Sequence, residues 1–182
     1  TEQGLFGKPT VVNNVETIAN VPSIVLNGAD WFTSIGTDNS KGTKIFSITG
    51  KVKESCAVEV FMGTPLSTLL DLGGGVANER KFKALHLGGP SGFSVLAEEL
   101  SLPIDFDKLK EIGVAIGSGG VQVLDDSVCV IDLVKYYMNF IQKESCGKCI
   151  PCREGTGRML EILENVIRKP LAEDSNSTLE RF

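Results

Sequence analysis

Short apolar segments that alternate with polar residues dominate the chain from residue 44 to residue 124. Apolar side chains at every second position are typical of a half-buried strand. The clearest case is the set Val58, Val60 and Met62. The pattern predicts four strands, at residues 44–52, 57–62, 83–87 and 121–124, of which the first two form a hairpin.

A helix is predicted between the second and third strands, at residues 66–72. Thr64 is a candidate N-cap, Pro65 suits the first helical position, and a run of three glycines follows. The resulting order β-β-α-β-β predicts an α+β fold of the β-grasp type at residues 44–124. Residues 88–120 are predicted to form a loop-rich insertion with a short helix at 107–111, capped by Asp105.

The apolar period changes after residue 130 from two residues to the spacing of an amphipathic helix. Two helices are predicted, with a break at residues 144–152 between them; the second stops before Pro170. Their apolar stripes are Leu133, Val134, Tyr137, Met138 and Ile141, and then Met159, Leu160, Leu163, Val166 and Ile167.

Residues 1–43 are predicted to form a lead-in with two short helices. Asn14 is expected to cap the first. Asn20 and Pro22 are expected to open the second, with Ile24, Val25 and Leu26 facing inward and Gly28 at its end. The chain is thus divided into a lead-in (1–43), a β-grasp unit (44–124) and a helical unit (125–182).

The composition of the 182 residues is that of an ordinary globular protein, with 42% hydrophobic and 23% charged residues. A net charge of −5 without a long Lys/Arg tract argues against a nucleic-acid partner. No apolar run approaches the ~18 residues of a membrane span, so we expect no membrane insertion. Because the chain begins at Thr1 and ends just after the capping-box pair Ser177 and Glu180, we expect a fragment cut at both ends.

The clearest chemical signal is the spacing Cys146-x-x-Cys149-x-x-Cys152. Such a run is a familiar source of three of the four thiolates of an iron–sulfur cluster. Gly147 permits an unusual backbone angle, and Pro151 can open a helix whose positive end faces the cluster. Lys148 and Arg153 add positive charge nearby. Three cysteines in seven residues, in a chain with five, predict a reducing compartment such as the cytoplasm.

The fourth ligand is left open, because Thr156 stands where a ferredoxin-type run has its last cysteine. Cys129, which we expect to be buried and inert, is the best candidate within the chain on spacing alone. Cys56 lies at a hairpin turn. A [4Fe–4S] site is favoured over a zinc site or a dithiol redox site. His86 is the only histidine, and a structural place at the core edge or surface is its simplest interpretation.

Several segments resemble one family, the NADH-oxidising flavoprotein subunit of respiratory complex I and of NAD(P)-linked, electron-bifurcating iron hydrogenases. The resemblance covers the chain in order to about residue 170, and Gly88–Gly92 is closer to the hydrogenase branch. The segments are Gly7–Thr17, Gly117–Gly120 and, most specifically, Glu144–Gly155.

This resemblance implies a flavin domain, then a soluble-ligand-binding β-grasp domain, then a helical bundle with one [4Fe–4S] cluster. Cys146, Cys149 and Cys152 would be cluster ligands, and the family's fourth cysteine would fall beyond Phe182. Asn13 and Asn14 would be the tail of the FMN site. The glycine-rich flavin and nucleotide segment is absent, so we expect residues 1–182 to bind neither FMN nor NADH well, to be inactive alone, and to hold the cluster incompletely or not at all.

In the intact protein, the resemblance implies electron transfer from NADH or NADPH through FMN and the cluster to partner iron–sulfur subunits. That protein would lie in the cytoplasm or on the cytoplasmic face of a membrane complex. The competing hypothesis is a β-grasp docking module whose cysteines hold a structural zinc ion. Neither complex I nor a hydrogenase is selected at this point, and no catalytic side chain is assigned.

Overall fold

A computed structural model describes residues 2–168 and contains one five-stranded mixed sheet with the strand order β2-β1-β5-β3-β4. The central strand β5 runs parallel to β1 and antiparallel to β3, and the two outer pairs are antiparallel. This sheet and its helices make the fold mixed α and β, as the sequence predicts. The strands are β1 (Thr43–Gly50), β2 (Cys56–Phe61), β3 (Phe82–Leu87), β4 (Phe93–Val95) and β5 (Gly120–Asp125).

The hydrophobic core lies on one face of the sheet. Along β1, Phe46 and Ile48 are almost fully buried while Ile45 is half exposed, which is the alternation expected of a strand with one covered face. Two short helices cover that face and bury one leucine each, Leu69 from α3 and Leu109 from α4. These helices are α3 (Ser67–Leu72) and α4 (Phe106–Glu111).

The segment between β3 and β5 is more ordered than a loop-rich insertion. It contains β4, which pairs with β3 at the sheet edge, and the predicted helix α4. Asp105 caps α4 as predicted, accepting from the backbone N–H of Asp107 and of Lys108 at 2.9 and 3.0 Å. The described residues also contain short 3₁₀ turns at Leu5–Gly7, Ala77–Glu79, Gly89–Ser91 and Ala97–Glu99.

The predicted Thr64 cap of α3 is wrong. Helix α3 begins at Ser67 after Leu66, which makes no side-chain capping bond. The main chain of Thr64 is already used, because its carbonyl accepts from the Ile104 N–H at 2.8 Å. This bond joins the start of α3 to the segment before α4, so tertiary pairing decides where the helix begins.

The lead-in forms one long helix, α1 (Val15–Asn27), followed by α2 (Ala29–Thr33). The Asn14 cap is confirmed, since its Oδ1 accepts from the Glu16 N–H at 2.9 Å. The second predicted start at Pro22 is wrong, because α1 continues through this proline, which only removes one N–H donor. Val25 and Leu26 were expected to face inward but are 76% and 84% exposed.

Helix α1 is attached to the sheet through the Glu16 side chain. One carboxylate oxygen pairs with the Lys44 ammonium, and the other accepts from the Ile45 N–H at 2.8 Å. Burial tends to raise the pKa of Glu16, but the bonds from Lys44 and Ile45 outweigh it and lower the pKa below its usual value. The carboxylate therefore accepts a backbone hydrogen bond from β1 at a position where β1 has no pairing partner on β5.

Both predicted C-terminal helices are present, as α5 (Val130–Glu144) and α6 (Thr156–Arg168), with a π-helical turn at Pro151–Gly155 before α6. Neither helix buries an apolar side chain fully within the described residues. Pro170 and the Ser177–Glu180 pair lie outside the described residues. No helix in the stretch 2–168 combines the length and apolarity needed to cross a bilayer.

Helix α5 touches the sheet through Tyr137. Its ring stacks on His86 of β3 with centroids 4.7 Å apart, and its hydroxyl donates to Gln122 Oε1 of β5. Burial raises the pKa of Tyr137 above its usual value, so the phenol stays a proton donor. His86 is only 6% exposed, which places it at the edge of the core.

Candidate metal centre

The three clustered cysteines lie together in the connection between α5 and α6. Cys146 and Cys149 are exposed, whereas Cys152 is half-buried within the π-helical turn. All five cysteines of the chain are free thiols. One short connection therefore carries three soft donors of the kind that iron–sulfur clusters use.

Arg153 holds this connection closed from both sides. Its backbone N–H donates to the Cys149 carbonyl at 2.9 Å, and its guanidinium Nη1 donates to the Gly147 carbonyl at 3.0 Å. The same guanidinium pairs with Glu154 at 3.0 Å. The guanidinium is thus fixed beside the cysteines, and the part of its charge that Glu154 does not neutralise would offset the negative charge of a thiolate-bound cluster.

The chain turns sharply between the first two cysteines. Gly147 adopts a φ of +74°, which side-chain-bearing residues rarely adopt, and this agrees with the predicted role of that glycine. Its N–H donates to Ser145 Oγ at 3.2 Å, and the same hydroxyl oxygen lies 3.3 Å from Cys152 Sγ. The first and last parts of the motif are therefore brought into contact.

A helix N-terminus faces the connection, as predicted. Ile150 has helical dihedral angles and Pro151 occupies the first position of the π-helical turn, which continues into α6. The Thr156 hydroxyl donates to the Cys152 carbonyl at 2.6 Å and so stabilises the turn from inside. The positive end of this helical segment and Arg153 act in the same direction on an anionic ligand.

The donor set fits an iron–sulfur cluster, with three thiolates on a connection that carries positive charge. The thiols are not preassembled, because no three Cys, His, Asp or Glu side chains within residues 2–168 converge to hold a metal ion as they stand. Binding of a cluster therefore requires the exposed side chains of Cys146 and Cys149 to turn toward Cys152.

The two remaining cysteines lie outside the connection between α5 and α6. The expectation that Cys129 is buried is wrong: it is exposed and sits at the N-terminal end of α5. A 15-residue helix separates it from Cys146, which is about 22 Å at 1.5 Å per residue. Cys56 is the first residue of β2, and its Sγ contacts the Leu72 carbonyl at 3.9 Å. Neither Cys56 nor Cys129 is therefore part of the connection that carries the other three cysteines.

His86 is not available as a metal ligand in this structure. Its Nε2 lies 2.8 Å from the Gly89 carbonyl and its Nδ1 lies 3.1 Å from Ser94 Oγ. Because a carbonyl only accepts, Nε2 carries a proton. Both ring nitrogens are used inside the sheet unit, in agreement with the structural interpretation of this histidine.

Asn13 and Asn14 are exposed at the start of α1. The Oδ1 atom of Asn14 is used to cap α1, which leaves its amide NH₂ group for other partners. Their assignment to a flavin site stays a prediction. The sequence analysis did not identify the contact of Ser145 with Cys152 or the contacts of Tyr137 with His86 and Gln122. Ser145 immediately precedes the cysteine motif and could have been noticed there.

Comparison with known proteins identifies the same region. Residues 132–182 match the model of the NADH-ubiquinone oxidoreductase-F iron-sulfur binding region. This match includes all three clustered cysteines and most of α5. It therefore agrees with the interpretation of the motif as an iron–sulfur site.

Curated relatives match almost the whole chain. It is 44% identical over 168 residues to the NADP-reducing hydrogenase subunit HndC of Solidesulfovibrio fructosivorans, covering 92% of this chain and 34% of that protein. It is 43% identical over 164 residues to the F 2 subunit of the Rhizobium meliloti NADH-quinone oxidoreductase, covering 90% of this chain and 39% of that relative. The chain thus spans between a third and two fifths of the length of these relatives.

A solved structure shares the fold. The crystal structure of an NAD⁺-reducing [NiFe]-hydrogenase in the air-oxidised state superposes with a TM-score of 0.78 and 34% identity, covering 91% of this chain and 28% of that one. The H₂-reduced state of that hydrogenase gives the same values. The arrangement of sheet and helices described above is therefore shared with a segment of that hydrogenase.

Proposed function

We propose that this chain is the iron–sulfur-bearing part of a flavoprotein subunit of the hydrogenase and NADH-quinone oxidoreductase kind. Residues 132–182 match the NADH-ubiquinone oxidoreductase-F iron-sulfur binding region, and nearly the whole chain is similar to subunits of both kinds of enzyme. The intact subunit would take electrons from NADH or NADPH and deliver them to partner iron–sulfur subunits. The observation that carries the proposal is the single connection holding Cys146, Cys149 and Cys152.

We assign these three cysteines as ligands of one [4Fe–4S] cluster, with the fourth ligand supplied from outside residues 1–182. When bound, the cluster supplies one-electron transfer. The protein contributes the thiolates, the Arg153 guanidinium and the N-terminus of the helical segment that begins at Pro151, all of which stabilise negative charge. Half-burial of Cys152 keeps part of the site away from water.

The lead-in would contribute to an FMN site through Asn13 and Asn14. Asn13 offers a complete exposed amide, and Asn14 offers the NH₂ group that its capping role leaves over. The Glu16 contacts to β1 would hold this segment at a fixed place relative to the sheet. The domain division is part of the same proposal: lead-in to residue 43, sheet unit 44–124 and helical unit 125–182.

We further propose that the sheet unit is a β-grasp domain. A helix, α3, follows the first hairpin, and the last strand, β5, inserts beside β1 in parallel, which agrees with the predicted β-β-α-β-β order. Strand β4 is an addition at the edge next to β3. Placement in the cytoplasm, or on the cytoplasmic face of a complex, agrees with five free thiols.

The zinc hypothesis has less support. A structural zinc site takes four Cys or His ligands. The only histidine has both nitrogens engaged in the sheet unit, so this chain offers three suitable residues at the connection. A cluster held by three thiolates and one external ligand accounts for the same three cysteines and needs no histidine.

Anaerobic reconstitution with iron and sulfide tests the proposal. An added thiol would serve as the fourth ligand, and iron, sulfide and zinc analysis with electron paramagnetic resonance would identify the product. We expect four irons per chain and a broad visible absorption band. After purification in air, we expect the chain to lack an intact cluster, because the fourth corner is open to oxidation.

The matched controls are Cys56→Ser and Cys129→Ser, which should leave iron binding unchanged. Cys146→Ser, Cys149→Ser and Cys152→Ser should each reduce it strongly. Stoichiometric zinc with no iron uptake would contradict the proposal and favour the docking module instead. Retention of four irons after purification in air would contradict the external fourth ligand.

A further inference from the structure

Ser145 is placed between the end of α5 and the first cysteine of the motif. Helix α5 ends at Glu144, and Ser145 turns the chain out of it with an extended backbone. Its hydroxyl oxygen lies 3.3 Å from Cys152 Sγ, although seven residues separate the two along the chain. The connection therefore folds back so that its first side chain meets its last cysteine.

Which atom donates at this contact depends on whether Cys152 is a thiol or a thiolate. As a thiol, Cys152 donates to Ser145 Oγ, which also accepts from the Gly147 N–H at 3.2 Å, so the hydroxyl proton of Ser145 is used in neither bond. A thiolate that ligates iron has no proton and can only accept. In the ligand form of Cys152, the hydroxyl of Ser145 is therefore the donor and the sulfur is the acceptor.

The surroundings favour a strong effect of this bond. Cys152 is half-buried while Cys146 and Cys149 are exposed, so water competes least at Cys152. The other nearby hydroxyl, on Thr156, donates to the Cys152 carbonyl at 2.6 Å and not to the sulfur. Among the described side chains that contact Cys152, Ser145 is the one whose donor can reach Sγ.

We propose that Ser145 is a positioning residue that raises the reduction potential of the cluster by donating a hydrogen bond to Cys152 Sγ. The inference rests on the proposed function, in which Cys152 is a cluster ligand. Hydrogen bonds to cluster sulfurs draw negative charge from the metal centre and so favour its reduced form. The bond also ties the end of α5 to the turn that begins α6, so it fixes the Cys152 ligand as well.

A redox titration tests this role. Wild type, Ser145→Ala and Ser145→Thr would be reconstituted anaerobically with the same added thiol and titrated by electron paramagnetic resonance. We expect Ser145→Ala to lower the reduced-to-oxidised ratio at fixed potential about tenfold, which is about 59 mV for a one-electron couple. Ser145→Thr keeps a hydroxyl and should stay within about twofold of wild type on the same scale. Thr156→Val, which removes a hydroxyl bonded only to the carbonyl, is the matched control and should also stay within about twofold.

The inference would be overturned by an unchanged potential in Ser145→Ala, by a shift in Ser145→Thr as large as that in Ser145→Ala, or by an equal shift in Thr156→Val. A Ser145→Ala chain that takes up no iron would also overturn it, since the hydroxyl would then serve assembly and not the potential. If wild type binds no [4Fe–4S] cluster, the proposed function is contradicted, and so is this inference, which depends on it. A wild-type cluster that is insensitive to Ser145 contradicts only the inference.

Discussion

The sheet unit and the helical unit of this chain are stabilised in different ways. Sixteen buried apolar side chains form one core under the sheet. Helices α5 and α6 lie against each other but fully bury no apolar side chain in their described parts, and Tyr136, Met159 and Ile162 are at least half exposed. Burial of apolar surface supplies most folding free energy, so the sheet unit has its own source of stability and the helical pair has little.

The sheet unit has a fixed structure, whereas the residues of the candidate metal centre lie in the less well packed helical unit. The sheet holds its polar groups in fixed bonds, such as those of His86 and Asp105. The cysteine connection instead depends on Arg153, Gly147 and Ser145 for its shape, and its thiols are not yet gathered. A bound cluster would therefore act as the missing core of the helical unit, since metal binding to a site that is not preformed is coupled to folding.

The largest effect is expected from Cys146→Ser, Cys149→Ser and Cys152→Ser combined. Iron binding should be lost completely, because no thiolate ligand remains on the connection. The sheet should still fold, since its core contains none of these residues. Iron analysis and circular dichroism measure both outcomes. Loss of all β-sheet signal would contradict the division of the chain into two differently stabilised units.

A pair of leucines compares the two units directly. Leu85 is fully buried in the sheet core, and Leu163 is half-buried on α6. Leu85→Ala should lower the free energy of unfolding by about 2–5 kcal/mol, because it leaves a cavity. Leu163→Ala should cost about 1 kcal/mol or less, because it removes less apolar surface from contact. Chemical denaturation of the metal-free chain measures both, and equal losses would contradict the comparison.

The junction between the units should respond by an intermediate amount. His86→Ala removes the stack on Tyr137 and the bonds to Gly89 and Ser94, so we expect a loss of about 1–3 kcal/mol. Hydrogen exchange should accelerate in α5 more than in β5. Tyr136→Ala is the control, since Tyr136 is 67% exposed and should change stability by about 0.5 kcal/mol or less. Unchanged exchange in α5 would show that the stack does not attach the helix.

Local patterns predicted much of this architecture. The alternation of Val58, Val60 and Met62 placed β2 correctly, and Asp105 and Asn14 both cap helices as their residue types predict. The cysteine spacing identified the connection that carries the donors. Each of these features depends on residues close together in sequence, which is the information that a sequence pattern contains.

Several features that were predicted wrongly or missed depend on residues that are distant in sequence. Thr64 does not cap α3 because its backbone pairs with Ile104, and Cys129 is separated from the other cysteines by the length of α5. Strand β4 is only three residues long, which is too short for an alternating pattern to be visible. The contact of Ser145 with Cys152 depends on how the connection folds back, and spacing alone does not give that direction.

The smallest expected effect comes from a carboxylate that joins the lead-in to the sheet unit. Asp105 accepts from the Thr37 hydroxyl and from two backbone N–H groups at the start of α4, while the hydroxyl of Thr37 also accepts from the Ser40 N–H at 3.0 Å. The Thr37 bond, followed by the backbone bond from Lys108, lowers the pKa of Asp105 below its usual value despite burial. A lowered folded-state pKa means that this stabilisation is present above the pKa of the unfolded chain and is lost as the pH falls through the folded-state pKa.

Thr37→Val should therefore raise the pKa of Asp105 and lower stability at neutral pH by about 1 kcal/mol, as expected for one lost hydrogen bond. The difference from wild type should shrink in acid, where Asp105 is protonated in both chains. Thr43→Val is the matched control, because its hydroxyl donates at 2.5 Å to Glu59 on the exposed face, and it should cost about 0.5 kcal/mol or less. Unfolding curves from neutral pH into acid, with the Asp105 carboxyl followed by NMR, measure both quantities. A loss in Thr37→Val that stays constant across this range would show that the hydroxyl stabilises the lead-in through Ser40 and not through the charge of Asp105.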